Sequence, residues 1–165
     1  LQQRSFILGE RMTLADAAVY GQLGMNLSDP SASRWIQSRA PALYAWLQRL
    51  HQGDHELLNA RGELQIDAAL TPLLAEISRV FVPLMQQNLT AYERLKGQGE
   101  TVFNEAAFNT GRSLYIGEID GQPFCHVAKP FQAKVWRQRL RQWQVLPDTL
   151  KQRSELSPLA KLLPD

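Results

Sequence analysis

Cysteine is scarce in this sequence, and neither sign of charge dominates it. Cys125 is the single cysteine of 165 residues, so an internal disulfide and a multi-cysteine zinc site are both excluded. A lone thiol fits a reducing compartment, and we expect a cytoplasmic protein. Eighteen Lys and Arg residues against 16 Asp and Glu give a formal net charge of +2. An excess this small is not the signature of a dedicated nucleic-acid binder, and we expect no nucleic acid as a partner.

Long apolar runs and an N-terminal signal are also missing. No run approaches the roughly 18 apolar residues of a membrane helix, which predicts a soluble chain without a membrane partner. The chain starts Leu1-Gln2-Gln3-Arg4, with neither an initiator Met nor an apolar signal segment. We therefore expect a trimmed chain or a fragment of a longer protein.

The charges that are present lie in blocks. Residues 1–52 carry five basic and three acidic residues, residues 53–128 carry five and ten, and residues 129–165 carry eight and three. The middle of the chain is therefore acidic and its end basic. Blocks of opposite sign attract each other modestly, and salt screens that attraction.

The strongest local signal is a capping box at the start of the first helix. Thr13 can accept a hydrogen bond from the backbone N–H of Asp16, and the Asp16 carboxylate can accept one from Thr13. A carboxylate used in this way belongs to the fold, so we predict a structural and not a catalytic role for Asp16. The helix should continue through Leu27. Its packing face repeats at three- and four-residue steps and comprises Leu14, Ala17, Ala18, Gly21 and Met25.

Proline and glycine mark the boundaries of the next helices. Asp29 as a cap and Pro30 in the first turn open a helix over 31–38, and Pro41 opens a third helix that ends at Gly53. The apolar face of this third helix comprises Leu43, Trp46, Leu47 and Leu50. Residues 54–65 then predict an irregular connector with at most one helical turn over 56–60.

A longer helical pattern follows the connector, with apolar residues from Ile66 to Leu95 at helical spacing. Pro72 suits a first helical turn, whereas Pro83 lies inside the pattern and should kink or split the helix near Phe81. Gly97-Gln98-Gly99 is typical of a helix end and lacks the spacing of a phosphate-binding loop.

One hairpin and one basic helix are predicted next. Residues 113–119 and 124–127 are rich in strand formers and flank Asp120-Gly121, which suits a tight primed turn. Pro123 cannot donate to a strand ladder and predicts an exposed edge. Pro130 opens an amphipathic helix to about Val145, and the last twenty residues are predicted to form a tail draped over the body. The apolar side of the helix should pack on the first three helices, those of residues 1–52. It comprises Phe131, Val135, Trp136, Leu140 and Trp143.

Two segments within residues 1–52 resemble the glutathione transferase family. Phe6–Ala18 contains a Leu-Gly pair followed by the Thr-x-Ala-Asp box, which in that family opens a central helix of the all-helical second domain. Ala40–Leu50 is similar to a later helix, in which a Pro, a Trp and a basic residue recur. The predicted fold class is mainly α. We expect a glutathione-transferase C-terminal-like helical bundle over 1–53, followed by a C-terminal extension over 54–165 with a long kinked helix and one small β-hairpin.

The resemblance also implies what the intact protein would contain. Members of the family begin with a thioredoxin-like domain that binds glutathione and supplies the activating Ser, Tyr or Cys, followed by two helices that commonly build the dimer interface. We therefore expect no catalytic residue and no cofactor in this chain, and glutathione only together with the thioredoxin-like domain. The expected partners are that domain and a second subunit of a homodimer. By region, Tyr20 is implied to form part of the wall of the acceptor-substrate pocket.

Two patterns that contain histidine suggest catalysis or metal binding, but we predict neither role. Cys125 and His126 are adjacent, but neighbours on a strand point to opposite faces, so no nucleophile pair is expected. His51 and His55 have a metal-like spacing, but Gly53 interrupts the helix that would align them, and no metal site is expected.

Asn88-Leu89-Thr90 matches a glycosylation acceptor. It lies within a helical pattern, and no secretion signal precedes it. We do not expect it to be modified.

Two classes of function remain open. The chain is predicted to be the C-terminal part of a glutathione-transferase-like protein, which supplies scaffold and pocket wall to an enzyme and has no catalytic machinery of its own. The alternative is a non-enzymatic docking or assembly module with the same fold, for which the charge blocks of the extension are suited. A weaker third interpretation takes the basic helix over 129–145 as a surface for acidic lipid or nucleic acid. The residues upstream of Leu1 distinguish the first two.

Overall fold

The computed structural model describes residues 1, 4–54, 59 and 61–164. The chain forms two compact units, Leu1–Asp67 and Ala68–Asp165. Both are mainly helical, and the second also contains a two-stranded antiparallel sheet. The predicted fold class is confirmed. The division falls at Asp67, whereas the sequence places the boundary after residue 53.

Three helices make up most of the described part of the first unit: α1 (Leu14–Leu23), which continues as a 3-10 turn over Gly24–Leu27, α2 (Pro30–Arg39) and α3 (Pro41–His51). Asp29 caps α2, and its Oδ1 accepts from the backbone N–H groups of Ser31 (2.7 Å) and Ala32 (2.9 Å). These bonds, that of Ala32 most strongly, hold the pKa of Asp29 below its ordinary value. The helices begin where the caps and prolines predict.

The core of the first unit joins α3 to α2 and to the loop before α1. Its buried side chains are Phe6, Ile36, Trp46, Leu47 and Leu50. The indole N–H of Trp46 donates to the carbonyl of Ser5 at 3.0 Å, so the loop is fixed to α3. The prediction that Trp46 is a core residue is confirmed.

Residues 61–67 return to the loop before α1, which explains why the first unit extends beyond α3. The N–H of Gln65 donates to the carbonyl of Leu8 at 2.8 Å. Arg4 donates through Nη2 to both carboxylate oxygens of Asp67 at 2.6 Å. Both contacts join residues that lie far apart in the sequence, and no local pattern announces them.

The long helical run of the second unit continues without a break, and it changes to a π-helical turn just before Pro83, near the Phe81 position where the sequence predicts a kink or split. A 3-10 turn over Ala68–Leu70 leads into α4 (Thr71–Glu76), a π-helical turn over Ile77–Phe81, and α5 (Val82–Gly97). Pro72 lies in the first turn of α4, where the missing N–H of proline costs no helical hydrogen bond. Pro83 directly follows the π-helical turn inside the continuous run.

By length and composition alone, the run Ala68–Gly97 could cross a membrane. The expectation that no segment approaches that length is therefore wrong. The apolar residues are spread over 30 positions, with Glu76 and Arg79 among them. These two form an ion pair at 2.6 Å, and the hydrogen bond from Arg79 holds the pKa of Glu76 below its ordinary value. Core helices of soluble proteins pass the same composition test, so this is weak evidence for a membrane span.

The hairpin forms as predicted. Strands β1 (Leu114–Ile119) and β2 (Gln122–Val127) are antiparallel, and Asp120 (φ 52°) and Gly121 (φ 73°) form the turn between them. Arg79 forms an ion pair with Asp120, which ties this turn to the π-helical turn. A short helix before the hairpin, α6 (Glu105–Asn109), is absent from the sequence prediction.

Helix α7 (Pro130–Gln144) packs on α5, where Trp136 lies in a core cluster with Val82 and Met85. Trp136 and Trp143 are buried as predicted, but Phe131 is 76% exposed. Phe131 lies in the first turn of α7 beside an open groove, not against α5. The apolar side of α7 thus has its partner within the second unit, and the expectation that this side needs the first three helices is wrong.

The end of the chain contains short helices that the sequence does not predict. They are α8 (Asp148–Lys151), a 3-10 turn over Ser154–Leu156, and α9 (Ser157–Ala160). Leu159 and Leu163 pack against the cluster around Trp136. The segment therefore contributes to the core of the second unit.

Candidate functional site

The capping box of α1 forms, and its carboxylate, that of Asp16, also binds the loop before the helix. Asp16 is 0% exposed. Its Oδ2 accepts from the N–H (2.9 Å) and the hydroxyl (2.6 Å) of Thr13, and its Oδ1 accepts from the N–H of Ile7 at 2.8 Å. The bond to Ile7 fixes the preceding loop to α1. A carboxylate that is buried and occupied by three donors has no access to a substrate, and its role is structural.

Tyr20 lies between the core and the surface of the first unit. Its ring packs against the core, and its hydroxyl oxygen is 3.0 Å from Nδ1 of His51 on α3. A Cβ at Gly24 would lie 3.0 Å from the ring, so a side chain at that position would press on Tyr20. The contact with His51 is exposed, so the hydroxyl lies at the surface of the unit. A pocket wall at Tyr20 stays a prediction.

The outer face of α1 is apolar and uncovered. Leu14 is 82% exposed and Met25 is 72% exposed, and Ala17, Ala18 and Gly21 between them are exposed as well. These are the residues that the sequence places on the packing face of the helix. The periodicity identifies an apolar face correctly, but the core of the first unit is built on the other side of α1, by residues such as Val19 and Leu23.

A helix that is apolar on both sides normally has neighbours on both sides. Residues 1–53 match the family model "Glutathione S-transferase, C-terminal domain". This match supports a glutathione transferase C-terminal domain over these residues. No curated protein and no solved structure matches the chain. The family match ends just after α3, and the second unit lies outside it.

The Leu-Gly pair, Leu8-Gly9, lies within the matched residues, and the structure explains why it contains glycine. Gly9 adopts φ +112°, and a Cβ there would lie 2.6 Å from the carbonyl oxygen of Glu63. Only glycine fits this combination of left-handed backbone and close approach. The pair thus marks the point where the returning segment over 61–67 touches the loop before α1.

In the second unit, Cys125 and His126 border an open groove of about 620 Å³ that also contacts Phe103, Phe108 and Phe131. Cys125 is paired with Ile116 across the hairpin and His126 with Tyr115, so their side chains lie on opposite faces of the sheet. The imidazole packs 5.5 Å from the ring of Phe124. The arrangement provides no nucleophile with an adjacent base.

The metal-like spacing of His51 and His55 involves a residue that lies outside the described part of the chain, His55. Within the described part, no group of three His, Cys, Asp or Glu side chains is placed to hold a metal ion. His51 instead contacts the hydroxyl of Tyr20.

Asn88 is a structural residue, although its sequence context suggests only a discounted glycosylation acceptor. Its side chain is 1% exposed, so no modifying enzyme could reach it in the folded protein. Its Oδ1 accepts from the N–H of Lys129 at 2.7 Å, and its Nδ2 donates to the carbonyl of Lys129 at 3.1 Å. An Asn on the buried side of an amphipathic helix is the signal that could have pointed to this role.

Gln87, the neighbour of Asn88, makes an equivalent pair of hydrogen bonds to the backbone of β1. Its Oε1 accepts from the N–H of Glu118 at 2.8 Å and its Nε2 donates to the carbonyl of Glu118 at 2.9 Å. Two consecutive amides of α5 therefore hold the hairpin and the start of α7. These contacts position the second unit and carry no chemistry.

Proposed function

We propose that this chain is the C-terminal part of a glutathione-transferase-like protein and that the outer face of α1 docks against the rest of that protein. The single observation that carries the proposal is the uncovered face of α1 in a domain that matches the family model over residues 1–53. The docking partner is a thioredoxin-like domain with the two helices that follow it in the family.

The chemistry of the α1 face suits this partner. Ala17, Ala18 and Gly21 let another backbone approach closely, and the larger side chains of Leu14 and Met25 lie at the two ends of the face. Leaving such a face in water forfeits about 25 cal/mol for each Å² of apolar surface that a partner would bury. The face therefore favours a permanent contact.

In the intact protein the reaction would be attack of a glutathione thiolate on an electrophile. The thioredoxin-like domain would bind glutathione and activate its thiol, and this chain would supply scaffold and, through Tyr20, part of the wall beside the electrophile. The hydrogen bond between Tyr20 and His51 supports this role because it fixes the ring at the surface. Cytoplasmic location and a homodimer belong to the same proposal.

Calorimetry with glutathione tests whether glutathione binding requires the thioredoxin-like domain. This chain alone should show no saturable binding, whereas the protein encoded by the full open reading frame should bind glutathione and conjugate it. Saturable micromolar binding by this chain would overturn the proposal.

A charge on the α1 face tests the docking. Ala18→Arg should change the free energy of unfolding of this chain by less than about 0.5 kcal/mol, since the position is exposed. In the intact protein the same change would bury an unpaired charge and should cost several kcal/mol. An intact protein that tolerates Ala18→Arg and lacks any glutathione binding would favour the non-enzymatic assembly module.

A further inference from the structure

A small cavity lies in the second unit between the π-helical turn, α7 and the end of the chain. Its volume is about 280 Å³, and we call it the tail cavity. It is bordered by the π-helical turn, α5 and α7 on two sides and by Leu159 and Leu163 on the third. None of its lining residues lies within the matched residues 1–53, so a ligand bound there is independent of the proposed function.

The walls of the tail cavity are apolar. The two buried indoles of Trp136 and Trp143 form one side, and Ile77, Phe81 and Leu140 lie around them. Only 22% of the most apolar window of the run Ala68–Gly97 is buried within the protein, and Phe81 in that run is exposed. The cavity is therefore a place where the fold leaves apolar surface open to solvent.

Two polar side chains stand among these walls, and they contact each other. Arg139 and Gln142 both line the cavity and are both exposed. Nη1 of Arg139 donates to Oε1 of Gln142 at 2.6 Å. Among the described residues, no carboxylate lies within ion-pair distance of Arg139, in contrast to Arg137 two positions earlier, which pairs with Glu93 at 2.7 Å.

An apolar cleft with one cation at its mouth selects a particular class of ligand. Binding pockets for small molecules combine apolar walls with few polar groups that fix orientation. A guanidinium binds a carboxylate with two parallel hydrogen bonds, which fix the orientation of an acid. The cavity lies near the lower end of the size range of such pockets, about 300 Å³, so the ligand must be compact.

We propose that the tail cavity binds medium-chain fatty acids, with the alkyl chain against the wall formed by Trp136 and Trp143 and the carboxylate on Arg139. The alkyl chain covers the apolar walls, and Gln142 holds the guanidinium in place for the headgroup. Binding also stabilises the end of the protein chain, because Leu159 and Leu163 form the third wall.

Titration of the protein with decanoate, followed by tryptophan fluorescence, tests the proposal, since two of the four tryptophans line the cavity. Saturable binding is expected, with an affinity that rises about fourfold per methylene from hexanoate to decanoate. Decanol carries the same alkyl chain without the charge and should bind about threefold more weakly, as expected for an ion pair at the surface.

Matched substitutions on α7 assign the headgroup. Arg139→Gln should weaken decanoate binding about threefold and leave decanol binding unchanged. Arg141→Gln removes an exposed cation that does not line the cavity, and it should change the affinity for neither decanoate nor decanol. Hydrogen exchange of residues 157–163 should slow on addition of decanoate to the wild-type protein. The proposal is overturned by absence of saturable binding, by equal effects of the two substitutions, or by equal affinity for decanoate and decanol.

Discussion

Asn88 and Lys129 lie 41 positions apart in the chain, and the side-chain amide of one pairs with the backbone of the other through two hydrogen bonds, at 2.7 Å and 3.1 Å. Lys129 is the N-cap residue of α7 and closely follows the hairpin. One buried amide on α5 therefore fixes both the exit of β2 and the entry of α7.

Replacing Asn88 should loosen the second unit. Asn88→Ala leaves the N–H and the carbonyl of Lys129 without these partners, and we expect a loss of about 2 kcal/mol in unfolding free energy. Thr90→Ala, on the exposed side of the same helix, is the control and should change it by less than about 0.5 kcal/mol. Hydrogen exchange of peptides from residues 82–97 and 130–144 measures the difference. Equal protection in the two variants would contradict the role given to Asn88.

Asp16 should matter more than an ordinary capping residue. A cap alone is worth about 1 kcal/mol, the loss expected for Thr13→Ala. Asp16→Ala also leaves the N–H of Ile7 without this partner, so we expect a loss of about 2–3 kcal/mol. Denaturation of the first unit, followed by hydrogen exchange, checks the order of the two variants. Equal midpoints for both variants would show that the bond to Ile7 contributes nothing.

Two glycines of the first unit should respond in opposite directions to alanine. Gly9→Ala would place a Cβ 2.6 Å from the carbonyl oxygen of Glu63 at φ +112°, and we expect a loss of more than about 2 kcal/mol. A Cβ added at Gly21 would have no atom within 4 Å, and Gly21 lies inside α1. Gly21→Ala should therefore raise the free energy of unfolding by about 0.5–1 kcal/mol. Urea denaturation of both variants decides, and a Gly9→Ala protein as stable as wild type would refute the close approach.

The lowered pKa of Glu100 should make the stability of the second unit depend on pH. Its Oε1 accepts from the N–H groups of Thr101 (2.8 Å) and Val102 (2.9 Å) and from Arg112 (2.8 Å). These bonds, that of Val102 most strongly, hold the pKa of Glu100 below its ordinary value of 4.5. A carboxyl whose pKa is lowered by folding stabilises the protein above that ordinary value, and the contribution is lost as the pH falls through the lowered pKa.

The corresponding experiment compares unfolding free energies at about pH 6 and about pH 3. Wild type should lose more stability on acidification than Glu100→Gln, which lacks the titrating group. Glu118→Gln removes an exposed carboxylate whose side chain makes no hydrogen bond among the described residues, and it should behave as wild type. Identical acid dependence of wild type and Glu100→Gln would contradict the assignment.

Local signals explain how much of the fold the sequence reveals. Asp29 with Pro30, Pro83, and Asp120 with Gly121 each act within a few residues, and the elements they predict are present. Helix α6 has only five residues, too few for a periodic pattern. The extent of the first unit depends on the pairing of Leu8 with Gln65, which no local pattern contains.

The candidate sites show the same limit. Periodicity identifies the apolar face of α1 but does not reveal that the core of the first unit lies on the other side of the helix. The apolar side of α7 is likewise visible in the sequence, but its partner on α5 is not, because a helix pattern does not name its neighbour. The tail cavity arises from the packing of three segments far apart in the sequence and could not be predicted from any of them.

Thiol labelling at position 18 tests the central claim most directly. In a Cys125→Ser background, Ala18→Cys places a single thiol on the outer face of α1, and Gln138→Cys places one on the exposed side of α7 as a control. In this chain both should react rapidly. In the intact protein the account predicts that Cys at position 18 reacts at least about a hundredfold more slowly while the control is unchanged, since docking would bury it. Equally rapid labelling at position 18 in both proteins would show that nothing covers α1 and would contradict the account.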